Sequence, residues 1–309
     1  MKHYIDFHED VGFEELDKLL KIAIDMKAKT KQRIPHHYLE GQSLAMIFTK
    51  SSTRTRVSFE VGMYQLGGQA LFLSSNDIQI GRGETIHDTA RVLSGMVDGI
   101  MIRTYAHQDI VDLAKYGSIP VINGLSDDQH PTQMLADLLT IKEHFGDYKG
   151  IKLTYMGDAR YNMANSLMIG CAKMGVDVAI VAPGELHPES QLVKLAEGFA
   201  KEAGSSVLIT DDVDAGVKNA DVIYTDVWAS MGEEAKLAER IKLLKPYQVN
   251  ASLMAKTGKK SIFMHCLPAV RNNEVTPDVI DGSDSVVWDE AENRKHTIKA
   301  VMAATLGEI

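Results

Sequence analysis

Short β-rich runs alternate with amphipathic stretches along the chain from residue 43, and this alternation constrains the fold more than any other feature. The runs are "SLAMIF", "QALFLS", "DGIMIR" and "IPVING" in the first half, and "IKLTYMG", "VDVAIVAP", "SVLITD", "DVIYTDV" and "SIFMHCL" in the second. Helical candidates in the first half cover residues 53–67, 84–96 and 107–117. Because parallel strands need a crossover between them, usually a helix, the pattern predicts an α/β fold with parallel sheets flanked by helices.

At 309 residues the chain is longer than a usual single core, so two domains are expected. The stretch "HPTQMLADLLTIKEHFGDYKG" between the two sets of runs predicts a connecting helix that stops at Gly146. Its apolar stripe comprises Met134, Leu135, Leu138, Leu139 and Ile141. We therefore place a first domain at residues 1–145 and a second at 146–289. The closing stretch "AENRKHTIKAVMAATLG" predicts one further helix within residues 290–309.

Charge and composition exclude several classes of protein. The formal net charge is −9, whereas nucleic acids and acidic membranes need a broad basic surface, so neither is expected as a partner. No stretch approaches twenty uninterrupted apolar residues and the N-terminus lacks an apolar signal core, which predicts a cytoplasmic protein. Cys171 and Cys266 lie far apart, outside any CxxC pair or cluster of zinc spacing. Neither a disulfide framework nor a metal site is expected.

One basic cluster stands out in this acidic chain. The stretch "FTKSSTRTRVSFEVGMYQLGG" places Lys50, Arg54 and Arg56 among serines and threonines where a predicted strand turns into a helix. Free N–H groups at a helix start, hydroxyl donors and a guanidinium fork favour binding of a phosphate or carboxylate. An ordinary N-cap at Ser52 or Thr53 beside solvated arginines is the alternative interpretation.

Other polar side chains also follow predicted strands. Ligands of open α/β sheets bind beyond the carboxyl ends of the strands, so the loops at those ends are the places to look for chemistry. Arg103 ends "DGIMIR", His130 lies in the loop after "IPVING", and "DARYN" follows "IKLTYMG". Asp226 ends "DVIYTD" and Cys266 follows "SIFMH". These loops are the candidate site.

Five motifs in order give a resemblance to a known family. "STRTR", "HPTQ", "DVWASMG", "HCLP" and "AENRKHTIKAVMA" resemble the carbamoyltransferases, over nearly the whole chain. The first two motifs are shared with the aspartate branch, whereas "DVWASMG" and "HCLP" resemble the ornithine branch. One departure lies in "GDARYNMANS", where Tyr161 precedes Asn162 and the family often has two consecutive asparagines.

The resemblance implies attack of the ornithine δ-amine on the carbonyl of carbamoyl phosphate, giving citrulline and phosphate as part of arginine metabolism. It assigns catalysis to Arg54, Thr55, Arg103, His130 and Cys266. The implied carbamoyl phosphate ligands are Ser52, Thr53, Arg54, Thr55, Gln79, Arg103, His130, Gln133, Cys266, Leu267 and Arg294. In the family a glutamine in the position of Gln79 comes from a neighbouring subunit, and the last helix returns to the first domain with its arginine.

On the acceptor side, the resemblance implies that Asp226 binds the α-ammonium of ornithine, while Asn162, Ser230 and Met231 hold its α-carboxylate. It also implies homotrimers, or multiples of trimers, with shared active sites and no cofactor. Two alternatives stay open. One is a carbamoyltransferase for another amine such as putrescine, and the other is a phosphate- or nucleotide-binding module, although "YMGDARYNMANS" lacks the G-x-G-x-x-G pattern.

Overall fold

The computed structural model describes residues 1–8, 11–80, 82–229 and 237–307. The chain divides into two compact units, Met1–Leu139 with Glu292–Ile309, and Thr140–Ala291. No helix in the described ranges combines the length and apolar character needed to cross a membrane.

Strands and helices alternate along the described chain. The strands are β1 Ser43–Phe48, β2 Gln69–Ser74, β3 Gly99–Arg103, β4 Val121–Leu125, β5 Lys152–Met156, β6 Asp177–Val181, β7 Val207–Thr210, β8 Val222–Thr225 and β9 Ile262–His265. The helices are α1 Phe13–Lys31, α2 Thr53–Gln65, α3 Ile86–Ser94, α4 His107–Tyr116, α5 Pro131–Phe145, α6 Asn162–Lys173, α7 Ser190–Ala203, α8 Val213–Val217, α9 Leu237–Leu244, α10 Ala251–Ala255, α11 Pro277–Ile280 and α12 Val287–Leu306.

The first unit is built on a parallel sheet in the order β2-β1-β3-β4. β3 and β4 are buried along their whole length and β1 almost so, whereas the edge strand β2 is half exposed. Phe48 pairs with Arg103, and Arg103 pairs with Leu125. Because these residues are in register at the carboxyl ends of their strands, the loops that follow β1, β3 and β4 meet at one edge of the sheet.

The second unit contains a parallel sheet in the order β7-β6-β5-β8-β9. Thr225 pairs with His265, so Asp226 and Cys266 each follow directly after the ends of neighbouring strands. The α/β class with two helix-flanked parallel sheets is confirmed, and each predicted run contains or overlaps one strand. The helix α1 was not predicted, although Leu16, Leu20 and Ala23 on its buried face follow helical spacing.

The C-terminal helix returns to the first unit, as the family resemblance implied. It begins at Val287, four residues before the predicted stretch, and from Glu292 onward it belongs to the first unit. There it crosses α2 closely at Gly62. A Cβ at that position would lie 2.9 Å from Met302 Cε and 3.1 Å from Lys299 Cγ. Glycine therefore permits the approach of the two helices.

We expect the free energy of unfolding of Gly62→Ala to be about 1–3 kcal/mol lower than the helix propensity of alanine alone would give, because the added methyl overpacks the α2–α12 crossing. Gly198→Ala is the matched control, since it lies within α7 and a Cβ there meets nothing within 4 Å. That substitution should stabilise the protein by about 0.5–1 kcal/mol, because alanine loses less backbone entropy on folding. Urea denaturation of both variants measures the free energy of unfolding. Equal changes in the two variants would show that the α2–α12 crossing accommodates a methyl group at position 62 without cost.

Candidate active site

The basic cluster lies where the sequence placed it, at the turn between β1 and α2. Ser52 is the N-cap of α2, and its hydroxyl accepts a hydrogen bond from the Thr55 N–H at 3.2 Å. Arg56 points away to a different environment, where its Nε donates to Glu60 at 3.1 Å and its guanidinium stacks 3.6 Å from the Phe72 ring centroid. The Ser52 side chain therefore caps α2, and the Arg56 side chain is engaged in contacts with Glu60 and Phe72.

Arg54 is different from Arg56. Its side chain is half-buried, and it makes no hydrogen bond or ion pair with another residue in the described part of the chain. Thr53 beside it is exposed. A guanidinium placed at a helix N-terminus and left with its donors unmatched by protein is suited to an incoming anion.

Arg294 joins three elements of the first unit. Its Nη1 donates to Gln133 Oε1 at 2.6 Å, and its Nη2 donates to Thr55 Oγ1 at 3.0 Å. Gln133 in turn donates from Nε2 to Asp137 Oδ1 at 2.8 Å. All four side chains are buried. The predicted residues from α2, α5 and α12 are thus brought into one hydrogen-bonded chain.

A lysine not included among the predicted site residues lies at the same sheet edge. Lys50 Nζ donates to Asp127 Oδ1 at 2.6 Å and lies 4.4 Å from the centroid of the Tyr105 ring. It links the loop after β1 to the loop after β4, across the end of β3 where Arg103 lies buried. Its position shortly after a predicted strand could have marked Lys50 as a site residue from sequence. Its pairing with Asp127 could not be predicted in that way, because the pairing depends on the order of the strands in the sheet.

His130 precedes α5 in the middle of these cations. It is buried, and burial is the largest cause that lowers its pKa well below the ordinary value of 6.5. Arg294, Arg103, Arg54 and Lys50 lower the pKa further, in that order. The imidazole is therefore neutral at neutral pH and can donate one hydrogen bond. Four cations, of which Lys50 pairs with Asp127, thus lie around a neutral histidine, and this arrangement is suited to an anionic ligand.

In the second unit, Asp226 and Cys266 meet at the ends of β8 and β9. The Cys266 thiol donates to Asp226 Oδ1 at 3.1 Å, and Asp226 also accepts from the Val227 N–H at 2.8 Å. Burial raises the pKa of Asp226, while His265 and these hydrogen bonds oppose that rise. A half-buried carboxylate with few protein partners is suited to an ammonium group.

His265 holds the loop that follows β9. Its Nδ1 accepts from the Leu267 N–H at 2.8 Å, so Nε2 carries the proton and faces Glu274 Oε1 at 3.3 Å. Leu267 has a φ of 56°, a left-handed conformation that leucine rarely adopts. The hydrogen bond from the Leu267 N–H to buried His265 stabilises this conformation and so fixes the backbone orientation at Cys266 and Leu267.

The same residues bring potential metal ligands together. Asp226, His265 and Cys266 offer donor atoms within 4.8 Å of one another, as one group of potential ligands within the described ranges. Both ring nitrogens of His265 are already engaged, one as acceptor and one as donor. A metal needs a nitrogen lone pair, so this geometry fits a hydrogen-bonded site rather than a metal centre.

Two family profiles cover the chain. The aspartate/ornithine carbamoyltransferase carbamoyl-P binding domain matches residues 2–143, and the Asp/Orn binding domain matches residues 149–305. The chain belongs to the aspartate/ornithine carbamoyltransferase family.

Named relatives of this carbamoyltransferase support the same assignment. An ornithine carbamoyltransferase of Pseudothermotoga lettingae is 58% identical over 95% of this chain and 94% of its own. A catabolic ornithine carbamoyltransferase of Bacillus licheniformis is 52% identical over 97% of this chain and 95% of its own length. The structure of ornithine carbamoyltransferase from Pyrococcus furiosus superposes with a TM-score of 0.96 at 52% identity, covering 100% of this chain and 98% of that one.

The remaining predicted residues of this carbamoyltransferase are placed as follows. Asn162 is the first residue of α6 and is half-buried, with Tyr161 as the N-cap. Gln79 is exposed in the segment between β2 and α3, and its side chain makes no hydrogen bond to another described residue. Ser230 and Met231 lie outside the described residues. The substrate contacts assigned to these residues stay predictions.

We expect the ring protons of His130 to show no titration between pH 6 and 8 in the ligand-free protein. Its pKa lies well below 6.5 because burial and four cations disfavour the imidazolium, so lowering the pH to 6 leaves the ring neutral. Histidine NMR spectra across this range measure the titration, and His130→Asn identifies the resonance. A midpoint near the ordinary histidine value would contradict the neutral ring.

Proposed function

We propose that this protein transfers the carbamoyl group of carbamoyl phosphate to the δ-amine of L-ornithine, giving L-citrulline and phosphate in arginine metabolism. The observation that carries the proposal is the convergence of Arg54, Arg103 and Arg294 with Thr55 and His130 at one edge of the first sheet. Identity of 58% with a named ornithine carbamoyltransferase supports the choice of acceptor. Both cysteines are free thiols, in keeping with work in the reducing cytoplasm.

The donor is bound through its phosphate. Arg54 and the N–H groups of residues 52–54 bind the dianion, while Arg103, His130 and Thr55 face the carbonyl oxygen. As the amine attacks, that oxygen gains negative charge, and donors aimed at it contribute about 3–4 kcal/mol each to the barrier reduction. His130 serves as a neutral donor because its pKa is depressed. Gln133 orients Arg294 and faces the same ligand.

The acceptor is bound through its amino-acid head. Asp226 pairs with the α-ammonium, and Asn162 with the segment at Ser230 and Met231 holds the α-carboxylate, which leaves the δ-amine to reach the carbonyl. A new C–N bond forms, the C–O bond to phosphate breaks, and the proton of the amine passes to the leaving phosphate. The backbone carbonyls of Cys266 and Leu267 accept from the carbamoyl NH2.

Initial rates with ornithine, putrescine and aspartate, each with carbamoyl phosphate, test the acceptor. Ornithine should be preferred over putrescine, because putrescine has the same spacing between its two amines but lacks the α-carboxylate that Asn162 and the segment at Ser230 and Met231 are proposed to hold. It should be preferred over aspartate, because aspartate has no second amine to attack the carbonyl once its α-ammonium pairs with Asp226. The ureido product is the readout. A preference for putrescine or aspartate would overturn the ornithine assignment and leave the carbamoyl phosphate site standing.

We predict that Asp226→Asn lowers kcat/KM for ornithine by about 10²- to 10³-fold, because the variant leaves the α-ammonium of ornithine without its charge partner. Affinity for carbamoyl phosphate, measured by calorimetry, should not change. Asp214→Asn is the control, since Asp214 is a 72% exposed carboxylate of the same unit that pairs with Lys256. Normal ornithine kinetics in Asp226→Asn would remove Asp226 from the site.

We also propose a homotrimer in which Gln79 completes the site of a neighbouring subunit. Val57, Val61 and Tyr64 form an exposed apolar stripe on α2, and Leu71 is exposed on the edge strand β2. A second copy of the chain is the occupant proposed for this face, because Gln79, the residue predicted to reach a neighbouring site, lies in the segment that follows β2.

Light scattering should give three times the mass of one chain. Mixed trimers of Gln79→Ala and Asp226→Asn subunits should regain activity, because some sites then combine an intact Gln79 with an intact Asp226. Each variant alone should stay weakly active. A mixture no more active than the two separate preparations would show that each chain builds its own site.

A further inference from the structure

A fully buried lysine on α12 is held entirely by neutral groups. Lys299 is 0% exposed, and its Nζ donates to Thr30 Oγ1 at 2.6 Å, Gln65 Oε1 at 3.0 Å and His36 Nε2 at 3.0 Å. An ammonium has three N–H donors, so all three are used. Within the described ranges no carboxylate lies within the 4.0 Å of an ion pair to this nitrogen.

The acceptor role of His36 follows from its second nitrogen. Nδ1 faces the Ile34 carbonyl at 2.8 Å, and because a carbonyl only accepts, Nδ1 carries the proton and Nε2 is free to accept from Lys299. Burial, with the Lys299 charge as a smaller cause, lowers the pKa of His36 and keeps it neutral. Burial also lowers the pKa of Lys299, with Lys295 as the second cause, to about 8, so the ammonium is still the main form at pH 7.

Burying a cation without an anion is costly, and an apolar side chain of similar volume would fill this space more cheaply. In place of cheaper packing, the lysine provides three hydrogen bonds of fixed direction. Its three bonds reach α1, the segment that follows α1, and the last residue of α2. The stem of the same side chain packs on Gly62 of α2. The lysine therefore sets how α12 lies along α2.

Lys299 and Arg294 are on the same helix, five residues apart, and both bind α2. Arg294 contacts Thr55 in the first turn of α2, and Lys299 contacts Gln65 at its end. Two contacts ten residues apart on α2 leave α12 little freedom to slide or turn. Displacements of about 1 Å at a positioning group can cost about 10²-fold in rate, so this freedom matters for a guanidinium that has to meet a phosphate.

We propose that Lys299 is a positioning residue for the anion site, which fixes α12 on α2 and thereby sets the Arg294 guanidinium against Thr55 and Gln133. The inference rests on the proposed binding of carbamoyl phosphate by that site. Lys299 itself touches no substrate, and it acts through Arg294.

Lys299→Met tests the proposal at pH 7, because methionine keeps the length of the stem and removes the three donors. We expect the Kd for carbamoyl phosphate, measured by calorimetry below the melting temperature of the variant, to rise about 10-fold or more. The KM for carbamoyl phosphate should rise with it, whereas the KM for ornithine at saturating carbamoyl phosphate should change little. A fall in melting temperature with unchanged affinity would overturn the proposal and leave Lys299 a purely structural residue.

A double-mutant cycle distinguishes an effect through Arg294 from a general loosening of the fold. Once Arg294→Gln has removed the guanidinium, Lys299→Met should add little further loss of affinity. Full additivity of the two losses would overturn the proposal. Lys173→Met is the matched control, since Lys173 is a buried lysine of the second unit, 4.6 Å from the Phe199 ring centroid. The affinity of the Lys173→Met variant for carbamoyl phosphate should equal that of the wild type.

A second pair of variants covers the case in which Lys299→Met does not fold. Gln65→Leu removes one acceptor and should weaken carbamoyl phosphate binding, whereas Gln65→Glu keeps the acceptor and should restore it. Equal affinities for the two variants would count against the proposal. Wild-type binding of carbamoyl phosphate without turnover of ornithine would overturn the proposed acceptor and leave the role of Lys299 intact.

Discussion

The fork of hydrogen bonds from Arg294 is the interaction on which the rest of the anion site depends. A C-terminal helix that returns to the first unit delivers one guanidinium to Thr55 at the start of α2 and to Gln133 at the start of α5. Both of these acceptors, the Gln133 amide and the Thr55 hydroxyl, are uncharged. The bond from Gln133 to Asp137 fixes the amide so that its oxygen faces Arg294. Removing any member of this chain would leave a buried polar group unmatched, which costs more than the bond itself contributes.

Strand register explains why residues far apart in sequence meet. Phe48, Arg103 and Leu125 end three neighbouring strands, so the segments after them carry Lys50, Arg54 and His130 to one edge. Convergence of cations then decides the state of the histidine, since burial and repulsion both disfavour the imidazolium. A neutral ring beside several cations can donate to an oxygen that gains charge without adding to the mutual repulsion of the site.

Much of this arrangement could be predicted from sequence, because strand ends and helix starts have local signatures. The strands, the α2 cap at Ser52 and the positions of Asp226 and Cys266 directly after strands follow from patterns in the chain, whereas the contact between Asp226 and Cys266 depends on the pairing of β8 with β9. The ion pair of Lys50 with Asp127 could not be predicted, since it depends on which strands are neighbours. The acceptors of Lys299 come from three segments separated by more than 200 residues from it, and no local pattern signals such a match. The substrate roles of Gln79, Asn162, Ser230 and Met231 are still predictions.

The two units place groups of opposite charge at the carboxyl ends of parallel strands. In the first, cations gather at strand ends and the titratable group among them is driven to its neutral form. In the second, a half-buried carboxylate follows a strand end, and desolvation raises its pKa while His265, a thiol and a backbone N–H oppose the rise. An acid in that setting gains most from a ligand that brings its own positive charge, because the ammonium replaces the solvation lost on burial. The same ligand has to present a neutral amine for attack, although an unperturbed alkyl ammonium has a pKa near 10.4. A site that binds one amine as a cation and reacts with another as a neutral base must distinguish the two by position, and in the proposed function the pairing of Asp226 with the α-ammonium supplies that distinction.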